Sequence, residues 1–193
     1  MLKYIIEHFE EELFEWCVIE YSHISKIVGK ENLIFTCIRK LKDMQILQKL
    51  GKVFPGSSAE LNLNGVCLLD SDAKQTLKPE DAERFEYFLF GGILGDNPPR
   101  GRTKGIIRKL EENGLKFELR NLGEKQMPTD TAAYTAKKIL EGEKLEKIKF
   151  IDSIEIEINE NELVMLPYRY AVEGSKPVIS NKLVGYLKKK NGF

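Results

Sequence analysis

Two short loops hold the residues with the clearest chemical potential in this sequence. The first covers residues 91–100 and the second covers residues 122–131. Each follows a run of apolar residues and precedes a stretch with helical periodicity. Glycine lets a backbone approach a flat ligand closely, and the amides at a helix start can bind a carboxylate. Together the loops suit a nucleoside that carries a small charged tail.

Four apolar side chains in these loops could enclose the ring of such a nucleoside: Ile93, Leu94, Leu122 and Met127. The alternative is that both loops are only tight turns stiffened by their prolines, and composition alone leaves the two interpretations open. The sequence contains neither a dinucleotide-binding glycine fingerprint nor a phosphate-binding lysine loop. No motif therefore indicates a different nucleotide site.

The segments around the loops alternate between apolar strands and amphipathic helices. Apolar runs predict strands at residues 2–6, 33–38, 66–69, 87–90 and 115–119. Helical spacing predicts helices at residues 9–28, 41–50, 102–113 and 129–141. This alternation is typical of an α/β fold, in which helices flank a parallel sheet. Both loops would then lie at the carboxyl ends of strands, where such sheets bind ligands.

The C-terminal part of the sequence is less regular. Residues 151–158 alternate between apolar and polar types, which predicts a half-exposed strand, and residues 178–190 predict a helix. The 193 residues contain no internal repeat and no low-complexity linker. We therefore expect a single domain over residues 1–193.

Charge and hydropathy argue against several classes of function. Lys plus Arg and Asp plus Glu both total 30, so no net positive field attracts nucleic acid or an anionic membrane. The sequence lacks an 18-residue apolar stretch and a leader pattern, which predicts a soluble, unprocessed protein. Cys17, Cys37 and Cys67 are odd in number and far apart, so neither a disulfide framework nor a metal site is indicated. We expect a reducing, cytoplasmic location.

Several segments, taken in chain order, resemble a known family. The longest are FGGILGDNPPR at residues 90–100, LGEKQMPTDTA at residues 122–132 and MLPYRY at residues 165–170. Shorter matching segments lie at residues 4–8, 66–70, 79–82 and 149–152. Together they resemble the SPOUT-class protein arginine N-methyltransferases, which include the eukaryotic enzyme acting on a small-subunit ribosomal protein and its archaeal relatives. The match covers nearly the whole chain and is weaker at residues 39–61 and at the C-terminus.

The resemblance implies a fold that periodicity would not suggest, because true knots are very rare. It is a SPOUT-type parallel sheet whose residues 87–157 form a deep C-terminal trefoil knot, with an extension over residues 158–193. The resemblance also implies S-adenosylmethionine bound in the knot. The chain would act as a monomer on a protein substrate, without stable nucleic-acid binding. By position, the cofactor-binding residues would be Gly91, Gly92, Ile93, Leu94, Gly95, Leu122, Gly123, Met127, Thr129 and Thr131.

An arginine acceptor also requires a carboxylate. Its guanidinium stays charged and must approach the sulfonium of the cofactor, which is a second cation. A carboxylate beside the acceptor would offset this repulsion and accept the departing proton. The candidate catalytic residues are Glu7 at the end of the first strand, Asp96 in the first loop and Asp130 at a helix start. Asp130 could instead simply favour the helix dipole.

Two alternatives are a SPOUT RNA methyltransferase and a non-catalytic cofactor-binding regulator. Residues 1–20 contain six glutamates against one lysine, and residues 151–165 contain five acidic residues and no basic one. Such clusters repel phosphate, although charge runs are usually solvated faces. A basic group with little aromatic interleaving could be cited for RNA: Arg100, Arg102, Lys104, Arg108, Lys109, Lys116 and Arg120. The balance favours a protein acceptor.

Five further predictions concern single residues. We expect Gly92 and Gly123 to be glycine because a side chain there would occupy the space of the adenosine. His8 is expected to pack or cap rather than to act as a general base. Trp16 is expected to belong to the core, because it shares a helix with other apolar residues. Arg169, between two tyrosines, is a candidate for shaping the substrate groove.

Overall fold

Six parallel strands form the central sheet of the protein. They are β1 (Lys3–His8), β2 (Leu33–Thr36), β3 (Lys52–Val53), β4 (Val66–Leu69), β5 (Tyr87–Gly92) and β6 (Phe117–Arg120). Their order across the sheet is β3-β2-β1-β5-β4-β6, and every pairing is parallel. The computed structural model describes residues 1–92, 103–160 and 162–190. The loop that follows β5 thus lies outside the described residues.

Helices cover both faces of this sheet, as a buried parallel sheet requires. The sheet is accompanied along the chain by α1 (Glu15–Val28), α2 (Leu41–Leu47), α3 (Asp81–Arg84), α4 (Thr103–Glu112) and α5 (Thr129–Leu140). Apolar side chains of α1 and α5 pack with one face of the sheet in the larger core cluster. Apolar side chains of α4 and of a 3-10 turn at Ser58–Glu60 pack on the opposite face.

The alternation of side chains along β1 determines which functional groups face each layer. Tyr4 and Ile6 belong to the core cluster beneath α1 and α5, whereas Ile5 belongs to the cluster beneath α4. This alternation between the two faces continues to the end of β1. Glu7 therefore points towards α4, and His8 points towards α1.

The C-terminal part adds two small antiparallel sheets and a final helix. One sheet has three strands in the order β11 (Lys176–Pro177), β10 (Tyr170–Glu173) and β7 (Phe150–Ile151). The other is a hairpin of β8 (Ile154–Asn159) and β9 (Glu162–Leu166), and α6 (Asn181–Lys189) follows. The inner side of the hairpin packs with α1 and α6 in a third apolar cluster.

The predicted α/β fold with a parallel sheet flanked by helices is confirmed, with three differences. Helix α1 begins at Glu15 rather than at residue 9, because the chain stays attached to the sheet beyond β1. The Phe9 amide donates a hydrogen bond to the Gly92 carbonyl at 3.2 Å. The strand predicted at residues 151–158 is divided between the end of β7 and most of β8. The short strands β3, β9, β10 and β11 were not predicted. The expected knot over residues 87–157 includes residues outside the described ones and stays a prediction.

Candidate active site

The end of β5 and the start of α5 meet at the carboxyl edge of the sheet. The Thr129 hydroxyl lies 3.5 Å from the Gly91 carbonyl oxygen and donates to it. The N-cap residue of α5 is Pro128, which cannot cap the helix through its side chain because proline has no polar side-chain atom. First-turn amides of a helix can bind an anionic group, and in α5 the Thr131 amide already donates to the Asp130 carboxylate. The predicted cofactor residues Gly91 and Thr129 are thus brought together.

The loop between β6 and α5 is held in place by Asn121. Its Nδ2 donates to the Ala73 carbonyl at 2.8 Å, and its Oδ1 accepts from the Thr76 hydroxyl at 3.1 Å. The same oxygen accepts from the Gly123 amide at 3.0 Å. Leu122, between these anchors, is buried. The sequence prediction missed Asn121, and its place directly after a strand end was the one signal that could have found it.

Two predicted cofactor residues further along this region are tied to the core. Met127 is partly buried against the larger core cluster, and its sulfur lies 3.9 Å from the Thr135 hydroxyl. Thr131 is fully buried, and its hydroxyl donates to the Val178 carbonyl at 3.4 Å. The remaining predicted residues of the first loop lie outside the described residues: Ile93, Leu94, Gly95 and Asp96.

The reason expected for glycine at position 92 is wrong. A Cβ atom at Gly92 would lie 2.5 Å from the Tyr21 hydroxyl and 2.6 Å from Cγ2 of Ile6. Gly92 therefore lets α1 pack closely on the sheet, and a side chain there would disturb the core first. Gly123 differs, because its φ of +99° requires glycine and the nearest atom to a Cβ is Nη1 of Arg169, at 3.3 Å.

Glu7 lies at the end of β1 with its carboxylate completely buried. Its Oε1 accepts a hydrogen bond from the Ser57 hydroxyl at 3.0 Å, and its Oε2 accepts from the Ser58 amide at 2.8 Å and from the Ser58 hydroxyl. Burial alone would raise the pKa of this carboxyl group, but these hydrogen bonds and the nearby Lys109 ammonium lower it below the ordinary value. Glu7 is therefore a buried anion.

Lys109 on α4 supplies the cation that faces this anion. Its Nζ lies 3.3 Å from Oε1 of Glu7 and 5.7 Å from the ring centre of Phe9. The Lys109 side chain is 42% exposed, whereas that of Glu7 is not exposed at all. The carboxylate is thus held by the two serines on one side and is paired on the other with a cation that is partly exposed to solvent.

Asp130 has a different environment on the opposite face of the sheet. Its Oδ2 lies 2.7 Å from Nδ1 of His23, and its Oδ1 accepts from the Thr131 amide at 2.7 Å. The neighbouring Glu20 is also buried, and burial together with the Asp130 charge raises the pKa of Glu20 well above its usual range. Both oxygens of Asp130 therefore have partners in α1 and α5. The structure does not bring Asp130 and Glu7 together.

Two other predicted residues have structural partners. Nδ1 of His8 lies 2.8 Å from the Tyr21 hydroxyl, and burial lowers the pKa of the imidazole. This confirms that His8 packs. Trp16 is partly buried and packs against the third cluster, with its ring 6.4 Å from that of Tyr186, so it borders the core to which it was predicted to belong.

The grouping of Arg120 with exposed basic residues is wrong. Arg120 is buried and forms a two-pronged ion pair with Asp81, at 3.0 Å for each nitrogen. Its guanidinium also lies 5.1 Å from the ring centre of Phe85. Arg120 thus joins β6 to α3 in the interior and is not available to a nucleic acid.

Arg169 lies next to the loop that Asn121 anchors. Its backbone amide donates to the Gln126 carbonyl at 2.9 Å, and its guanidinium stacks 4.7 Å from the ring centre of Phe150. Nε of Arg169 lies 3.3 Å from Oδ1 of Asp152, whose Oδ2 accepts from Lys125 Nζ at 2.7 Å. Arg169 therefore borders the candidate site, and its predicted role in shaping a groove stays a prediction.

Thiol chemistry, a metal centre and a membrane span find no support in the described residues. Burial raises the pKa of Cys17 and of Cys67 to about 12 and that of Cys37 to about 11, so all three are neutral thiols. Across residues 1–92, 103–160 and 162–190, no group of three or more His, Cys, Asp or Glu side chains could hold a metal ion. No helix in the same ranges is long and apolar enough to cross a membrane.

Comparison with known proteins gives a consistent result over almost the full chain. The family of SFM1-like protein arginine N-methyltransferases matches residues 3–192. Protein arginine N-methyltransferase SFM1 from Saccharomyces cerevisiae is 44% identical over 97% of this chain and 95% of its own length. The chain belongs to the SFM1-like family of protein arginine N-methyltransferases.

Solved structures of SFM1-like enzymes agree with this assignment. The yeast arginine methyltransferase SFM1 complexed with SAM has a TM-score of 0.88 at 42% identity, with 98% of this chain and 91% of that chain covered. Its complex with SAH has a TM-score of 0.87 at 41% identity, with 96% and 94% covered. Dual-specific Trm10 from Thermococcus kodakaraensis has a similar fold, with a TM-score of 0.63 at 18% identity over 76% of this chain and 96% of that chain.

Proposed function

We propose that this protein is an S-adenosylmethionine-dependent methyltransferase that transfers a methyl group to an arginine side chain of a protein. The observation that carries the proposal is the buried anion Glu7 at the carboxyl end of β1, which is paired with the partly exposed Lys109 ammonium. Its relatives named as protein arginine methyltransferases, one of them in complex with SAM, support the same conclusion.

The electrostatics of an arginine acceptor explain why such an anion is needed. A guanidinium and a sulfonium about 4 Å apart repel each other by roughly 4 kcal/mol at an effective dielectric constant near 20. Uncompensated, this repulsion would slow the reaction about a thousandfold. The acceptor guanidinium would replace the Lys109 ammonium beside Glu7, and the carboxylate would then hold it and offset the repulsion. A neutral RNA base brings no positive charge that requires this arrangement.

The cofactor would occupy the carboxyl edge between β5, the loop that Asn121 anchors and the start of α5. The described residues proposed to bind it are Gly91, Gly92, Leu122, Gly123, Met127, Thr129 and Thr131. Gly92 would contribute its backbone only, since a Cβ atom at this position would meet Tyr21 and Ile6 of the core. Asp96 in the first loop is proposed as a second acceptor carboxylate. Asp130 ranks below both, because His23 and the Thr131 amide occupy its oxygens.

Several finer features belong to the same proposal. We infer a single SPOUT domain over residues 1–193, with a trefoil knot formed by residues 87–157 and an extension over residues 158–193. The close match to SFM1 over nearly its whole length supports a shared architecture. We also propose that the enzyme is a cytoplasmic monomer and that its acceptor is a small-subunit ribosomal protein. The three free thiols are consistent with a reducing compartment.

One assay separates protein methylation from RNA methylation and from cofactor binding without chemistry. The protein is incubated with methyl-labelled S-adenosylmethionine and small-subunit ribosomal particles, and the products are treated with either nuclease or protease. We expect label that survives nuclease and is lost with protease. Label that survives protease but not nuclease would establish the RNA alternative.

Calorimetry with S-adenosylhomocysteine is the control for this assay. We expect micromolar affinity, about −8 kcal/mol, as is common for cofactor sites. Heat of binding without transfer to either acceptor would favour the non-catalytic regulator. Absence of binding to the folded protein would remove the methyltransferase assignment altogether.

A further inference from the structure

The outer face of the β8–β9 hairpin alternates acidic and apolar side chains in a regular pattern. Directly opposite residues of an antiparallel pair share a face of the sheet. Glu155 lies opposite Met165, and Glu157 lies opposite Leu163. Each of these cross-strand pairs therefore places one glutamate beside one apolar residue on the same exposed surface. We call these four residues the hairpin face.

The apolar members of the hairpin face are unusually exposed. Leu163 is 50% exposed and Met165 is 57% exposed, although the alternate residues Val164 and Leu166 are buried in the third cluster. Among the described residues, six large apolar side chains are exposed, and three of them lie on or beside this hairpin. The third is Ile151, shortly before β8. Grouped exposed apolar side chains with polar neighbours are typical of an interaction surface.

Charge restricts what could cover the hairpin face. Residues 151–165 contain five acidic residues and no lysine or arginine. A nucleic-acid phosphate would be repelled, and a second copy of the same face would bring glutamates against glutamates. A basic segment with apolar side chains would pair with the glutamates and also cover the exposed apolar residues of the hairpin face.

The segment that precedes the hairpin is linked to the candidate active site. Asp152 separates β7 from β8, and its carboxylate binds Lys125 of the loop that Asn121 anchors. The same carboxylate is ion-paired with Arg169, which contacts Gln126 of that loop through its backbone amide. Asp152, three residues before Glu155, thus connects the start of the hairpin to the cofactor loop.

We propose that the hairpin face is a docking surface for an extended, basic and apolar segment of the acceptor protein, outside the methylated arginine itself. This proposal rests on the proposed function. The glutamates of the hairpin face attract the lysines and arginines of the segment, while Leu163 and Met165 contact its apolar side chains. Docking here increases the local concentration of the acceptor arginine at the buried carboxylate.

The test uses two double variants of the full chain. Glu155→Gln/Glu157→Gln removes the charge, and Leu163→Ser/Met165→Ser removes the apolar surface. The matched controls are Glu31→Gln before β2 and Leu41→Ser at the start of α2, both of which change exposed residues of the same types away from the hairpin. The acceptor is the set of small-subunit ribosomal proteins extracted with salt. Initial rates of methyl transfer are measured against acceptor concentration, and cofactor affinity is measured by calorimetry.

We expect each hairpin variant to raise the KM for acceptor about tenfold, with kcat and cofactor affinity unchanged, as for loss of a remote binding contact. The charge variant should also lose much of the salt dependence of KM. Hairpin variants with the KM of the wild type would overturn the docking surface and leave the proposed function intact. No labelled protein in the wild-type reaction would overturn both. A wild-type dimer that Leu163→Ser/Met165→Ser dissociates would also overturn the proposal, by assigning the face to a second copy.

Discussion

The Glu7 carboxylate is completely buried, accepts hydrogen bonds from Ser57 and Ser58, and forms an ion pair with Lys109. We expect Glu7→Gln to lower the rate of methyl transfer by about two orders of magnitude, since the amide cannot offset the charge of the acceptor. Cofactor affinity should change little. Single-turnover transfer and calorimetry measure the two quantities separately. Near-normal turnover would assign the acceptor carboxylate to another residue, first to Asp96 and, if Asp96→Asn is also active, to one such as Asp152.

The lowered pKa of Glu7 also predicts how stability depends on pH. A carboxyl group whose pKa is lower in the folded state stabilises the fold above its unfolded pKa, and this contribution is lost as pH falls through the folded pKa. We expect Glu7→Gln to reduce the free energy of unfolding by about 1–3 kcal/mol at pH 7. The difference from wild type should narrow below about pH 4.5, the range in which an ordinary glutamate becomes protonated. Urea unfolding at several pH values tests this, with the exposed Glu31→Gln as control.

Gly92 and Gly123 allow a second comparison between single residues. Gly92→Ala should unfold at a lower temperature, because the new Cβ would meet Tyr21 and Ile6 in the core. Gly123→Ala should weaken cofactor binding more than it weakens the fold, because the strain of a positive φ falls on an anchored loop. Melting temperature and calorimetric affinity, measured for both variants, distinguish the packing role of Gly92 from the loop role of Gly123. The reverse pattern would mean that the two glycines have exchanged roles.

At the scale of elements, the loop between β6 and α5 depends on Asn121. We expect Asn121→Ala to reduce cofactor affinity about tenfold, because its hydrogen bonds hold the loop in a binding shape. Asn113→Ala is the matched control, since it removes the hydrogen bond from Nδ2 to the Lys109 carbonyl on α4. Equal cofactor affinity in the two variants would show that the loop holds its shape without Asn121.

The elements that periodicity predicted best are a strand buried within the sheet and a helix packed on one of its faces. Val66–Leu69 was predicted with its observed bounds, and α5 differs by one residue at its end. Short strands such as Lys52–Val53 contain too few residues to show a period, so they could not be predicted. For the site, the sequence indicated Glu7 and both loops. The contacts of Glu7 with Ser57 and Lys109 span 50 and 102 residues of sequence, so no local sequence pattern could indicate them.

At the scale of the whole molecule, cofactor binding should be visible in global stability. A ligand that binds only the folded state at a hundred times its dissociation constant adds about 2.7 kcal/mol to the free energy of unfolding. For a chain of this size, we expect S-adenosylhomocysteine to raise the melting temperature by roughly 5–10 °C. Differential scanning calorimetry measures the shift, and adenosine alone serves as the control. No shift at saturating ligand would contradict the proposed cofactor site.

The balanced charge of the chain and the acidic hairpin face both suit a basic protein partner rather than a phosphate backbone. The chemical identity of the modified residue decides between the possible protein acceptors. Labelled acceptor protein from the wild-type reaction is hydrolysed in acid, and the amino acids are separated and counted. We expect the label in methylarginine, and we expect Glu7→Gln to remove it from the same position. Label recovered as methyllysine or another methylated amino acid, with none in methylarginine, would contradict the assignment.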